Sequence, residues 1–278
     1  MEITEIIKEA FIFPSQNLEK LAIYIVLTFV LALLAVFGVI TALLGINDGS
    51  FYFVLTFIFL ILGIIVALII TGYQVGVLKS GIDHDESAPS LELKNDFITG
   101  LKMLAVSIVY FIIPAIVGWI MVFITNIPGQ IMDIVQKTAV SHANATAVAG
   151  SSSTVVTGVS DAAMASLTGS ITVSALVTLV VFIIFAFLQA MGESRLANTG
   201  ELGEAINIPE AFRDITRIGV GKVLAVILLI VIIILVIQAI LGYLYGYIPY
   251  LSIIGIIVTP YLAFFSQRAI GLLYSDIT

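Results

Sequence analysis

At 278 residues, with 60% hydrophobic and only 10% charged residues, the chain has too few polar groups to cover a soluble globule, and its mean hydropathy of +1.20 marks an integral membrane protein. Cysteine is absent, which excludes a disulfide framework, thiolate catalysis and cysteine metal sites. The formal net charge of −7 decides little by itself, because in a membrane protein the placement of the basic residues carries the information.

Ile3, Ile6, Ile7, Ala10 and Phe11 make one helical stripe while Glu2, Glu5, Lys8 and Glu9 make the other. The N-terminus therefore reads as a short amphipathic helix ended by Pro14. From Leu21 to Leu44 the chain is apolar apart from Thr28 and Thr41, long enough for span one. This span lacks a small-residue cleavage site and follows an acidic start, so it is expected to be retained. Gly45 to Gly49 carries the Asn, Asp and Gly of a tight turn, and span two follows at about Phe51 to Gly72.

A polar loop, Gln74 to Pro89, leads to a second amphipathic stretch in which Leu93, Phe97 and Leu101 oppose Glu92, Asn95, Asp96 and Thr99. Span three, about Met103 to Thr125, contains Pro114, which predicts a kink. Residues 126–170 are rich in Ala, Ser, Thr, Val and Gly around the run Gly150 to Thr154, and read as a long external loop whose stretch 127–139 can form short helices. Span four is about Ile171 to Met191, and another polar loop runs from Gly192 to Ile206. The third amphipathic stretch has Ile208, Phe212, Ile215 and Gly219 on one face and Glu210, Arg213, Asp214 and Arg217 on the other. Asn207 is its expected N-cap, with Pro209 in the first turn. Span five begins after Lys222, and span six, about Tyr250 to Leu272, contains Pro260. Between them Gly242 to Tyr250 holds the tyrosines of an interfacial belt.

These elements predict an all-α integral membrane protein: one membrane domain, 1–278, of six spans arranged as three parallel two-span repeats, each preceded by an amphipathic interfacial helix. Repeat 1 is 1–81, repeat 2 is 88–198 with the external loop 126–170, and repeat 3 is 207–278. Glu9-Ala10-Phe11 matches Glu210-Ala211-Phe212, and Lys102 to Val106 matches Lys222 to Val226. Two spans per repeat return the chain to one side, so the repeats relate by a pseudo-threefold axis along the membrane normal. The N-terminal side carries ten of the eleven Lys and Arg residues, with only Lys137 opposite, which predicts a cytoplasmic-membrane protein with both termini cytoplasmic.

Gly72-Tyr73, Lys79, Gly81, the acidic run after it, Pro89, Asp96-Phe97 and Gly100-Leu101-Lys102 resemble the pattern of an archaeal multi-pass membrane family known as domain of unknown function 4013. The likeness is densest over 72–106, although that family usually has arginine near Lys79. The resemblance implies a fold and no catalytic residue.

Asp83-His84-Asp85-Glu86 is the one cluster of metal-ligand types, but adjacent residues cannot all converge on one ion, and an acidic loop beside a bilayer is more simply solvated. The spans hold no ionisable group well inside the bilayer, so an intramembrane hydrolase or ion-coupled pump is not expected. No enzyme activity, cofactor, metal or nucleic-acid partner is expected. Phe11, Phe97, Phe212 and Ile215 are the expected anchors of the interfacial helices. Pro114, Pro260 and Gln238 are the candidate kink and path residues, and Asn144 begins an acceptor sequon for glycosylation. Gly38, Gly63, Gly118 and Gly255 are expected to permit close helix packing. Two functions remain open: a membrane scaffold that binds lipids or a partner protein, and a passive transporter or channel for a small solute or lipid.

Overall fold

Apolar runs with no internal partner for their backbone must close their hydrogen bonds within a helix when they enter a bilayer, and this chain folds accordingly. The computed structural model describes residues 1–147 and 160–278, with side chains described for all of these except Asn47, Asp48, residues 138–147, Pro249 and Ser252. The helices in chain order are α1 (Ile3–Gln16), α2 (Leu18–Asp48), α3 (Ser50–Ile82), α4 (Leu93–Ile124), α5 (Ile127–Ala147), α6 (Asp161–Thr199), α7 (Leu202–Ala205), α8 (Ile208–Ile218), α9 (Val220–Tyr247) and α10 (Gly255–Tyr274). Among the described residues there is no strand. Among the described residues six helices, α2, α3, α4, α6, α9 and α10, are long and apolar enough to cross a membrane.

The polar stretches after spans two and four are helical where loops were expected. Val75, Val77, Leu78, Gly81 and Ile82 are buried, so packing carries α3 to Ile82, and buried Leu196 and Ala197 do the same for α6 up to Thr199. The turn between α2 and α3 shrinks to Gly49, whose φ of 97° suits a residue without a Cβ. The second amphipathic stretch is continuous with span three in α4, whereas α8 is separated from α9 at Gly219, where φ is 105°. Residues 127–147 of the expected external loop form α5; the run Gly150 to Thr154 lies outside the described residues.

The chain divides into two compact units. One comprises Met1–Ile108 and Phe187–Thr278, the other Val109–Ala186. In the first, α10 is the central helix: half of its apolar stretch is buried, against 17% or less in the other five long helices. It packs on α3, α1, α2 and α9. Its Phe264 meets Tyr24 edge-on at 5.2 Å, and Phe13, Leu21, Ile70, Tyr73 and Val77 complete the core.

Two backbone-to-backbone crossings set the helix spacing. A Cβ on Gly81 would lie 2.7 Å from the Arg268 carbonyl oxygen and 2.9 Å from the Gly271 Cα, so α3 and α10 touch at a pair of glycines. A Cβ on Gly72 would lie 2.8 Å from the Asp96 Cα, and one on Gly100 would lie 3.0 Å from the Leu68 Cα, which brings α3 against α4. The expected packing glycines Gly38 and Gly63 are not of this kind; their nearest neighbours stand at ordinary contact, 3.7 and 3.9 Å.

In the second unit Phe111 stacks on Phe182 at 5.0 Å, and Thr125 and Ser174 share a hydrogen bond of 2.9 Å. Gln130 donates to the Thr125 carbonyl and to Ser170, which fixes the start of α5. A groove of about 800 Å³ runs past Trp119, Val122, Thr178 and Phe182.

A clamped polar cleft at the ends of three helices

Helix α3 has 33 residues, about 50 Å at 1.5 Å per residue, while a hydrocarbon core is about 30 Å thick. It is therefore longer than a hydrocarbon core is thick, and its polar last turns carry Lys79 and Ser80. Here the C-terminal end of α3, the start of α4 and the end of α6 enclose a cleft in two joined lobes. One lobe, about 210 Å³, is lined by Lys79, Asn95, Thr99, Lys102 and Gly200 among others. The other, about 340 Å³, is lined by Asp83, Asp85, Ser87, Ser90 and Glu92. Gly76, Lys79, Asn95 and Asp96 belong to both lobes.

The acidic loop that forms one wall is not a solvated tether. Asn17 accepts from the Ala88 N–H at 2.7 Å while its amide donates to the Glu86 and Phe13 carbonyls, both at 3.0 Å. Tyr73 donates to the Pro89 carbonyl at 3.0 Å, and Arg268 to that of Asp85 at 2.6 Å. Three side chains from separate parts of the fold thus hold 83–92 down, and His84 is turned to a φ of 56°. On the other wall Asp96 accepts from the Glu92 N–H at 2.8 Å, and Lys102 donates to the Gly200 carbonyl at 2.7 Å. Lys79 is exposed and is in no ion pair among those of the described residues, although four carboxylates line the same cleft.

Two buried ionic clusters brace this end. Arg268, 2% exposed, donates to the Ser80 carbonyl at 2.5 Å and to Glu9 at 2.6 Å, with its guanidinium 4.5 Å from the centre of the Phe13 ring. Asp214, 1% exposed, accepts from Arg195 at 2.8 Å, from the Tyr274 hydroxyl at 3.1 Å and from Arg217 at 3.3 Å; Arg195 also pairs with Glu204. A third contact joins the Met1 amine and Lys222 to Asp276. These contacts join Arg268 to Glu9 and Asp85, Asp214 to Arg195 and Tyr274, and Asp276 to Met1 and Lys222.

The model of a family described as protein of unknown function (DUF4013) matches residues 55–246. The chain belongs to that family. No curated protein and no solved structure matches. The family match contains the whole cleft, from Gly72 to Gly200, and leaves α1 and α10 outside it. The family description assigns no activity, so function rests on geometry.

The expected site residues are scattered. Phe11 is exposed and lies edge-on to Tyr261 and Phe265, both at 5.6 Å; Phe97 is half-buried, Phe212 exposed and Ile215 buried. On α8 the buried face is Ala211, Asp214 and Ile215, so the expected face is shifted round the helix and takes in a carboxylate assigned to the polar side. Asn207 does cap α8, accepting from Glu210 N–H at 3.3 Å. Pro114 and Pro260 are buried within α4 and α10, and Pro260 lines a groove of about 430 Å³ with Tyr24, Thr28 and Thr259. Gln238 is exposed on α9 and lines none of the clefts described here. The side chain of Asn144 lies outside the described residues. Asp83, His84, Asp85 and Glu86 are exposed, and among the described residues no three His, Asp or Glu side chains are placed to hold a metal ion. Sequence reading missed Asn17, Asp214 and Arg268 as structural residues. A signal existed for Asp214, which falls three residues after Ala211 on the Ala211–Ile215–Ile218 stripe.

Proposed function

We propose that this protein is a non-enzymatic, membrane-embedded binding module that scaffolds lipids or a partner protein at the cytoplasmic face of the cell membrane. The observation that carries this reading is where its clustered motif residues go. Gly72, Tyr73, Gly81, Pro89, Asp96 and Gly100 are used in helix crossings and clamps that make a rigid cleft at one end of the bundle, above a core filled by Phe264, Phe265, Leu272 and Leu273. A passive transporter would instead be expected to place such residues along a polar path through the spans.

Met1 pairs with Asp276 near the C-terminus, and the side of the spans to which ten of the eleven Lys and Arg residues are assigned from the sequence, Lys79 and Lys102 of the cleft among them, is favoured as cytoplasmic. Three parallel repeats, each led in by an amphipathic helix, account for the recurrence of features on that side. Ala10 and Ala211 are both fully buried, each preceded by a glutamate and followed by an exposed phenylalanine. The glycines that close spans two and six, Gly81 and Gly271, meet each other.

The test is purified protein in proteoliposomes. Binding without transport predicts that native mass spectrometry finds lipid retained after detergent extraction, while small-solute efflux and lipid scrambling stay at the rate of protein-free vesicles. Solute flux or scrambling above that rate would establish the transporter in its place.

A further inference from the structure

We propose that the cleft at the ends of α3, α4 and α6 binds a zwitterionic phosphodiester headgroup, a phosphate with an ammonium a few atoms away, as an aminophospholipid carries. This rests on the binding-module reading and names the ligand class for the same cleft. Its two lobes are joined and differ in charge: Lys79 and Lys102 outnumber the one carboxylate, Asp96, at the 210 Å³ lobe, whereas Asp83, Asp85, Glu92 and Asp96 face Lys79 alone at the 340 Å³ lobe. At about 30 Å³ per water, the smaller lobe has the room of about seven waters, enough for a phosphate group.

Opposite charges on a flexible surface collapse onto each other. Here they do not, because the acidic loop is held by Asn17 and Arg268, and Lys79 is fixed in the last turns of α3. Lys79 is in no ion pair among those of the described residues at the junction of the lobes, which it shares with the Asn95 amide and with Asp96, whose carboxylate accepts from the Glu92 N–H. A ligand with one negative and one positive end satisfies both walls at once and needs no rearrangement of either. A purely anionic ligand would leave the carboxylates facing it, and a simple cation would meet the two lysines. The position favours a lipid over a free phosphoamine, since the turns of α3 that carry Lys79 reach the headgroup zone just beyond the hydrocarbon.

The test measures binding of short-chain phosphatidylethanolamine, short-chain phosphatidylglycerol and O-phosphoethanolamine to the purified full chain in detergent, by calorimetry. The ethanolamine lipid should bind about tenfold or more tightly than the glycerol lipid, and more tightly than O-phosphoethanolamine. Lys79→Gln should weaken the ethanolamine lipid by about tenfold or more. The double change Asp83→Asn and Asp85→Asn should abolish the preference between the two lipids while leaving both bound. All three side chains concerned are exposed, and an unchanged melting temperature verifies that each variant folds. Equal binding of the two lipids by the parent protein, or no effect of Lys79→Gln, would overturn the proposal. Binding of O-phosphoethanolamine alone would overturn the lipid assignment. If the parent retains a different lipid with no preference for the amine, the headgroup proposal fails and the binding module stands; if it retains none and conducts solutes, both fail.

Discussion

Gly271→Ala tests the crossing on which the first unit is built. A methyl group there would meet the Leu78 carbonyl oxygen and come within 2.9 Å of the Gly81 Cα, and both are backbone atoms that cannot rotate aside. Relief requires α3 and α10 to part along a contact that also fixes Arg268 and the acidic loop. Overpacking costs about 1–3 kcal/mol, and a clash with two backbone atoms belongs at the upper end; alanine in a helix returns about 1 kcal/mol relative to glycine, so the net destabilisation is about 2 kcal/mol. Gly38→Ala is the control, because its new methyl stands 3.7 Å from the Phe59 Cβ, an ordinary contact. There only the propensity gain remains, and the sign reverses. Thermal unfolding of the two variants in one detergent should show Gly271→Ala several degrees below the parent and Gly38→Ala at or above it. A Gly271→Ala protein as stable as the parent, or equal losses in both variants, would refute the backbone crossing.

Asp214→Asn should cost about 3 kcal/mol in the same assay, because it leaves Arg195 with a single anionic partner in a nearly dry site, whereas Arg217→Gln, 60% exposed, should stay within about 1 kcal/mol. Asn17→Ala removes three hydrogen bonds to two segments and should raise amide exchange across 83–90 with little change elsewhere; unaltered exchange there would remove the clamp from this account. If α8 lies at the interface as proposed, Phe212→Asp in nanodiscs should destabilise by about 2 kcal/mol and Arg213→Gln by little. The opposite order would identify α8 as a charge-locked element of a cytoplasmic assembly.

The six long helices were legible because span length and apolar content are set by the bilayer and written continuously in the chain. Helix ends were not. Lys79 and Arg195 suggested loops, yet α3 and α6 continue past them because the neighbouring Leu78, Ile82 and Leu196 are buried against other helices, which local polarity does not encode. The buried ionic clusters were hidden for the same reason: Arg268 and Glu9 are separated by 259 positions, and Asp214 and Arg195 by 19. Glycine roles also depended on the partner helix, so Gly81 could be noted within the family pattern without showing that it touches Gly271, while Gly38 and Gly63 attracted a packing role they do not fill. The cleft residues were legible as a motif from Gly72 to Lys102, but their clamp was not, since Asn17 and Arg268 lie outside that segment.

The absence of native cysteine allows the central claim, a binding cleft open to the cytoplasm, to be tested with two single-cysteine variants. Ser87 lines the cleft, and Tyr250, 89% exposed, lies in the connection between α9 and α10. In intact cells a membrane-impermeant thiol reagent should modify Tyr250→Cys and leave Ser87→Cys untouched until the membrane is permeabilised. Modification of Ser87→Cys from outside, with Tyr250→Cys protected, would put the cleft on the opposite face and contradict the account.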